Sequence, residues 1–168
     1  MRKVAQFFKV SEKQFIQDFC AVCQGTEQQA EEIYDNIKLP ERATKGSAGY
    51  DIYTPIAYTL KPGESAKIPT GIRVKIEDGW FLSVFPRSGL GFKFRLQMDN
   101  TVGIIDSDYY FAENEGHIFV KVTNDSKEGK TVALEAGKAF CQGIFLEYGI
   151  TADDETEGIR VGGLGSTS

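Results

Sequence analysis

Ile72-Arg73-Val74-Lys75-Ile76-Glu77-Asp78-Gly79-Trp80-Phe81-Leu82-Ser83-Val84-Phe85 is the stretch on which the fold class turns. Two runs rich in Val, Ile and Phe flank Glu77-Asp78-Gly79, where glycine accepts the positive φ of a tight reversal. The spacing predicts a β-hairpin. Upstream, Lys61-Pro62-Gly63 is a second turn, in which proline presets φ. Downstream, Ile118, Val120 and Val122 alternate with Phe119, Lys121 and Thr123, the pattern of a half-buried strand. Many short strands follow one another with no crossover helices, which predicts a β-sandwich, jelly roll or barrel. Eighteen glycines among 168 residues suit a chain made of turns rather than helices.

The pattern changes before Leu39-Pro40. Ser11 with Gln14 has the spacing of a helix capping box, and Thr26 with Gln29 repeats it. Phe15, Phe19 and Cys23 recur every four residues, with Ile16 and Cys20 beside them. Ala30, Ile33, Tyr34 and Ile37 form a second apolar stripe. Gly25 is placed to end the first helix. The expectation is a strand over residues 4–8, then a helical hairpin over residues 11–37. Helices this short are marginal alone, so both must dock. Residues 1–37 are therefore expected to pack on a β domain spanning residues 38–157. Residues 158–168 form a Gly-rich tail, expected to order only against a ligand or partner.

A net charge of −5, with no basic run, excludes recognition of a nucleic-acid backbone as the main activity. No apolar stretch has the ~20 residues of a membrane helix. The N-terminal residues lack the apolar core of a secretory signal. Three cysteines suit a reducing compartment better than a disulfide framework. The expected location is the cytoplasm.

Four stretches carry chemistry. Gly46-Ser47-Ala48-Gly49-Tyr50-Asp51 leaves a carboxylate at the start of a strand. Phe85-Pro86-Arg87-Ser88-Gly89-Leu90-Gly91-Phe92-Lys93 combines a guanidinium, a hydroxyl and amides beside glycine, the parts of a phosphate cradle. Asn100-Thr101-Val102-Gly103-Ile104-Ile105-Asp106-Ser107-Asp108-Tyr109 places an amide, a carboxylate and an aromatic ring within ten residues. The tail offers Arg160, Gly162, Gly163, Gly165, Ser166 and Thr167, suited to wrapping phosphates. Each alone is an ordinary turn or terminus; their order is what is specific.

In that order the stretches resemble the five motifs of the trimeric dUTPase family. The first matches at Ala48-Gly49-Tyr50-Asp51, the second at Pro86-Arg87-Ser88-Gly89-Leu90 and the third at Gly103-Ile104-Ile105-Asp106-Ser107-Asp108-Tyr109. The fourth matches in part around Gly137 and Gln142, and the fifth at Gly162-Gly163-Leu164-Gly165-Ser166-Thr167. The resemblance spans about residues 38–168. It implies a mainly β, jelly-roll fold assembled as a homotrimer with active sites at subunit interfaces. It implies that Asp106 activates water against the α-phosphate of dUTP, giving dUMP and pyrophosphate. Arg87, Ser88 and Gly89 would hold phosphates. Asn100, with backbone groups of a hairpin at Gly103 and Ile105, would read uracil. Tyr109 would lie under the deoxyribose. Mg²⁺ would ride on the triphosphate, reached through water by Asp51, with Gln142 in support. Arg160, Leu164, Gly165, Ser166 and Thr167 would close over the ligand from another subunit's tail.

The chain departs from the family in several places. Residues 110–116 lengthen what is usually a tight turn. Ala139 stands in place of an arginine, Arg160 is one residue closer to Gly162, and Leu164 replaces a stacking phenylalanine. The helical hairpin is an addition with no task assigned. Other signals fail. Cys20 and Cys23 lack two further zinc ligands nearby. Gly129-Lys130-Thr131 lacks the first glycine of a phosphate-binding loop, because Asn124 stands there. His117, the only histidine, has no adjacent nucleophile. A dCTP deaminase would need a glutamate near the second motif, and a non-catalytic nucleotide-binding regulator would not need Asp106.

Overall fold

A computed structural model describes residues 1–163, so Leu164, Gly165, Ser166 and Thr167 lie outside the described residues. The chain runs β1 (Ala5–Lys9), α1 (Glu12–Cys23), α2 (Glu27–Asp35), β2 (Glu41–Arg42), β3 (Tyr50–Tyr53), β4 (Tyr58–Leu60), β5 (Ser65–Pro69), β6 (Ile72–Ile76), β7 (Trp80–Pro86), α3 (Ser88–Phe94), β8 (Leu96–Met98) and β9 (Gly103–Ile105). A 3-10 turn (Ser107–Phe111), β10 (Phe119–Asn124), β11 (Val132–Leu134) and β12 (Ala139–Glu147) complete it. The fold is mainly β, and the strands pair antiparallel in one five-stranded sheet, one three-stranded sheet and two ladders.

The predicted hairpin over residues 72–85 is corrected. The turn forms: Trp80 N–H donates to Glu77 O at 3.2 Å and Gly79 has φ +82°. The two strands then part. β6 pairs with β1, while β7 lies between β12 and β9. Both edges of β7 are taken, so β6 must turn the corner into another ladder. The segment from β8 to β9 behaves alike: β8 pairs with β10 and β9 with β7, so the stretch before Gly103 links two sheets and is not a hairpin ladder. β1 begins one residue later than predicted. Ile118, Val120 and Val122 are buried, as their alternation predicts.

Both predicted helices form. Thr26 and Gln29 make the full capping box, whereas Ser11 and Gln14 make half of one. The Ser11 hydroxyl accepts from Gln14 N–H, but the Gln14 amide turns to Asp18. Glu115 takes the Ser11 amide instead, at 2.7 Å, and accepts from its hydroxyl at 2.6 Å. A carboxylate from 104 positions away thus caps the helix. α1 ends with Gln24, not Gly25, in the left-handed region.

Phe15 and Phe19 sink into the core shared with the strands. Full burial of a side chain like Phe15 contributes about 1.5–3 kcal/mol. Beneath them lies His117, fully buried. Gly71 N–H donates to its Nε2 at 2.8 Å, so the ring proton sits on Nδ1 and donates to Asp18 Oδ2 at 2.6 Å. His117 therefore anchors α1 to the strands. The Gly71 position favours glycine: its φ of +74° strains other residues, and a Cβ would stand 2.2 Å from Ile37 Cδ1, which would have to shift.

Burial alone would raise the Glu115 carboxyl. The two Ser11 hydrogen bonds, with Arg73 nearby, outweigh it and hold the group below the ordinary glutamate value of 4.5. A depressed folded-state value means that this contribution is present above that range and is lost as pH falls through the folded value. The difference in melting temperature between wild type and Glu115→Gln is expected to be largest near neutrality and to shrink as pH falls below 4.5. A difference that stays constant with pH would contradict the Glu115 cap.

Candidate active site

The motif residues fall into two groups. At one end of β7, antiparallel pairing sets Asp51 of β3 opposite Gln142 of β12, and Gln142 opposite Phe85 of β7. Arg87 follows β7 directly and stands as the N-cap of α3. A cavity of ≈ 380 Å³ is bounded by Ser47, Gly49, Asp51, Arg87, Ser88 and Gln142. Three segments distant in sequence thereby converge. The Arg87 guanidinium pairs with Asp51 at 3.3 Å and remains 46% exposed, so it can still meet an anion. The cradle predicted over residues 85–93 is a short helix rather than a loop; Ser88 and Gly89 form its first turn, whose amides have no acceptor within the helix.

At the other end of β7 lies the second group. Leu82 of β7 faces Ile105 of β9, so Asp106 is level with Phe81. Arg87 is six residues farther along, about 20 Å at ~3.3 Å per residue. Ile105 is buried, so only its backbone could meet a ligand, while Ile104 is exposed. Asn100 is exposed on the turn ahead of β9, in which Thr101 N–H donates to Met98 O at 2.9 Å. Tyr109 is buried, and its hydroxyl donates to His117 O at 2.8 Å. Burial pushes this phenol up, against a lowering by the Asn114 hydrogen bond and by Arg160. The hydroxyl therefore keeps its proton and remains a donor.

The described part of the tail returns to this second group. Arg160 Nη2 donates to Asp106 Oδ2 at 2.7 Å, and its Nε donates to Asp108 Oδ1 at 2.8 Å. Its guanidinium lies 5.7 Å from the centre of the Tyr109 ring. Glu113 N–H donates to Val161 O. Arg160 thus stands on the chain's own carboxylates rather than beside Arg87. Asp106 still has half of its side-chain surface exposed, enough for a water to reach it.

Residues 110–116 stand out in the sequence as a lengthened turn, but the sequence assigns them no contacts. In the structure, Asn114 Nδ2 donates to Tyr109 Oη at 2.9 Å, and Gly116 N–H donates to Asn114 Oδ1 at 3.2 Å. Gly116 has φ +70°, and a Cβ there would stand 2.6 Å from the Tyr109 carbonyl. The available signal was His117 directly before apolar Ile118: a buried polar ring needs partners.

Among the described residues, no group of three or more His, Cys, Asp or Glu could hold a metal by itself. Cys20, Cys23 and Cys141 are free. Burial holds the Cys23 and Cys141 thiols up, which makes them poor nucleophiles. No helix among the described residues is long and apolar enough to cross a membrane.

The described chain is a mainly β protein with an acid–guanidinium cavity at one end of a strand and a second carboxylate at the other. Comparison with known proteins makes the class specific. The sequence model of the dUTPase family matches residues 35–167. A deoxyuridine 5'-triphosphate nucleotidohydrolase from Lactococcus lactis is 39% identical over 134 residues, 78% of this chain and 88% of that one. The dUTPase of Streptococcus mutans superposes with a TM-score of 0.61 at 37% identity, covering 70% of this chain and 90% of its own. The dUTPase of Staphylococcus bacteriophage 80alpha, solved with dUPNHPP, shares the fold at a TM-score of 0.65 and 21% identity, covering 94% of this chain and 90% of its own. The chain belongs to the dUTPase family.

Proposed function

We propose that this protein hydrolyses dUTP to dUMP and pyrophosphate, with Asp106 activating a water for attack on the α-phosphate. The observation that carries the reading is the convergence of Asp51, Arg87, Ser88 and Gln142 on one cavity, with the Arg87 guanidinium open to an anion. Arg87, the Ser88 hydroxyl and the Gly89 amide bind the phosphates. Asp106 accepts a proton as the water oxygen bonds to the α-phosphorus. The bond from that phosphorus to the bridging oxygen breaks, and pyrophosphate leaves. Asn100 and the backbone at Gly103 and Ile105 read the uracil edge, where cytosine would leave polar groups unpaired. The Tyr109 ring, buried in the free chain with the Arg160 guanidinium 5.7 Å from its centre, lies under the deoxyribose once Arg160 moves away, and leaves no room for a 2'-hydroxyl.

A single described carboxylate at the phosphate cavity fits Mg²⁺ carried by the substrate, because this ion keeps several waters and takes one or two carboxylates plus phosphate oxygens. Asp51 and Gln142 would hold those waters. When bound, the ion neutralises charge on the phosphates. Arg160, which pairs with Asp106 in the free chain, would transfer to the more highly charged triphosphate, and Leu164, Gly165, Ser166 and Thr167 would close over the ligand as another subunit's tail.

Asp106 and Arg87 lie too far apart within one chain to act on the same phosphate. Each site would therefore draw them from different chains; any closed symmetric assembly satisfies all sites alike, and the family resemblance makes it a homotrimer. Hydrolysis in ¹⁸O-labelled water tests the point of attack: the label is expected in dUMP. Label in pyrophosphate would contradict attack at the α-phosphate.

A further inference from the structure

The segment 110–116 interrupts the chain directly after Tyr109 and returns to it. Asn114 Nδ2 donates to Tyr109 Oη at 2.9 Å and lies 3.4 Å from His117 O. Its Oδ1 accepts from Gly116 N–H, which fixes which way the amide faces. The Tyr109 hydroxyl donates onward to His117 O. The ring edge is thus held by two bonds, and His117 is itself fixed between Gly71 and Asp18. The Asn114 amide also lies beside the returning tail, where a Cβ added to Gly163 would stand 3.4 Å from Asn114 Cγ.

We propose that Asn114 is a positioning residue for sugar discrimination, fixing through the Tyr109 hydroxyl the ring against which the deoxyribose packs. The inference rests on the dUTP reading above. A ribonucleotide adds one oxygen at C2'. A ring free to tilt yields to that oxygen, whereas a ring whose edge is bonded cannot. Specificity of this kind depends on contact groups held to within about 0.5 Å by bonds behind them. Asn114 touches no substrate atom; it acts through Tyr109.

The test compares kcat/KM for dUTP and for UTP in wild type, Asn114→Leu, Tyr109→Phe and the double variant. Leucine nearly preserves the size of Asn114 and removes its hydrogen bonds. Phenylalanine keeps the ring and removes the bonded hydroxyl. The dUTP-to-UTP ratio is expected to fall about tenfold in each single variant, the scale of one lost hydrogen bond in a buried pair. It should fall no further in the double variant than in Tyr109→Phe, because removing the Tyr109 hydroxyl already severs its bond to Asn114 as well as the one to His117 O. A role confined to stability would lower both rates together and leave the ratio unchanged; that result, or additive losses in the double variant, would overturn the proposal. Should Asn114→Leu fail to fold, an unchanged ratio in Tyr109→Phe alone overturns it. Wild-type protein that releases no pyrophosphate from dUTP would instead overturn the function on which the inference rests.

Discussion

Asp106→Asn is expected to lower kcat on dUTP by about 10²–10⁴, the contribution of a positioned general base. Asparagine keeps the shape of the side chain but cannot take a proton from water. Asp106 lies just past β9, a position set by backbone pairing with β7, so the substitution leaves the surrounding ladder intact. The variant also loses its ion pair with Arg160, although Asp108 still holds that guanidinium. Binding of a non-hydrolysable dUTP analogue should therefore survive. Turnover like that of wild type would remove Asp106 from its role.

Arg87→Ala is expected to lower kcat/KM by about 10²–10³, because truncating one side of a charge pair that becomes buried costs ~2–5 kcal/mol. Two effects add. The cavity loses its guanidinium, and Asp51, mostly buried and paired with Arg87 at 3.3 Å, is left to repel the phosphates. Lysine would restore charge without the planar fork and should recover only part of the loss. The variant also tests sharing of the site. When Arg87→Ala and Asp106→Asn chains, each at least about a hundredfold slower alone, are unfolded and reassembled together, about a quarter of the sites should combine both native groups (one half times one half) and regain activity. No regain would place the two residues in sites built from single chains.

Local signals in the sequence were legible wherever neighbours in the chain decide the outcome. Thr26 and Gln29 cap α2 as their spacing predicts, and Gly79 turns the chain at its expected place. Partners distant in sequence were not legible. Nothing in residues 72–85 says that β7 takes its neighbours from residues 103–105 and 139–147. Glu115 displaces Gln14 from half of a capping box that looks complete in sequence. The motif residues could be read in order, but their division between the two ends of β7 depends on strand pairing. The role of residues 113–117 depends on what they touch: a helix terminus, a buried tyrosine and the returning tail. A polar run of this kind looks like an exposed loop until its partners are known.

The central claim is that an acid–guanidinium cavity and a distant carboxylate cooperate on a deoxyuridine triphosphate. Pyrophosphate release measured across dUTP, dCTP, dTTP, dATP, dGTP and UTP, with and without Mg²⁺, tests it most directly. Rapid release from dUTP alone, dependent on Mg²⁺, is the predicted result. Equal release from several nucleotides, or none from dUTP with Mg²⁺ present, would contradict it.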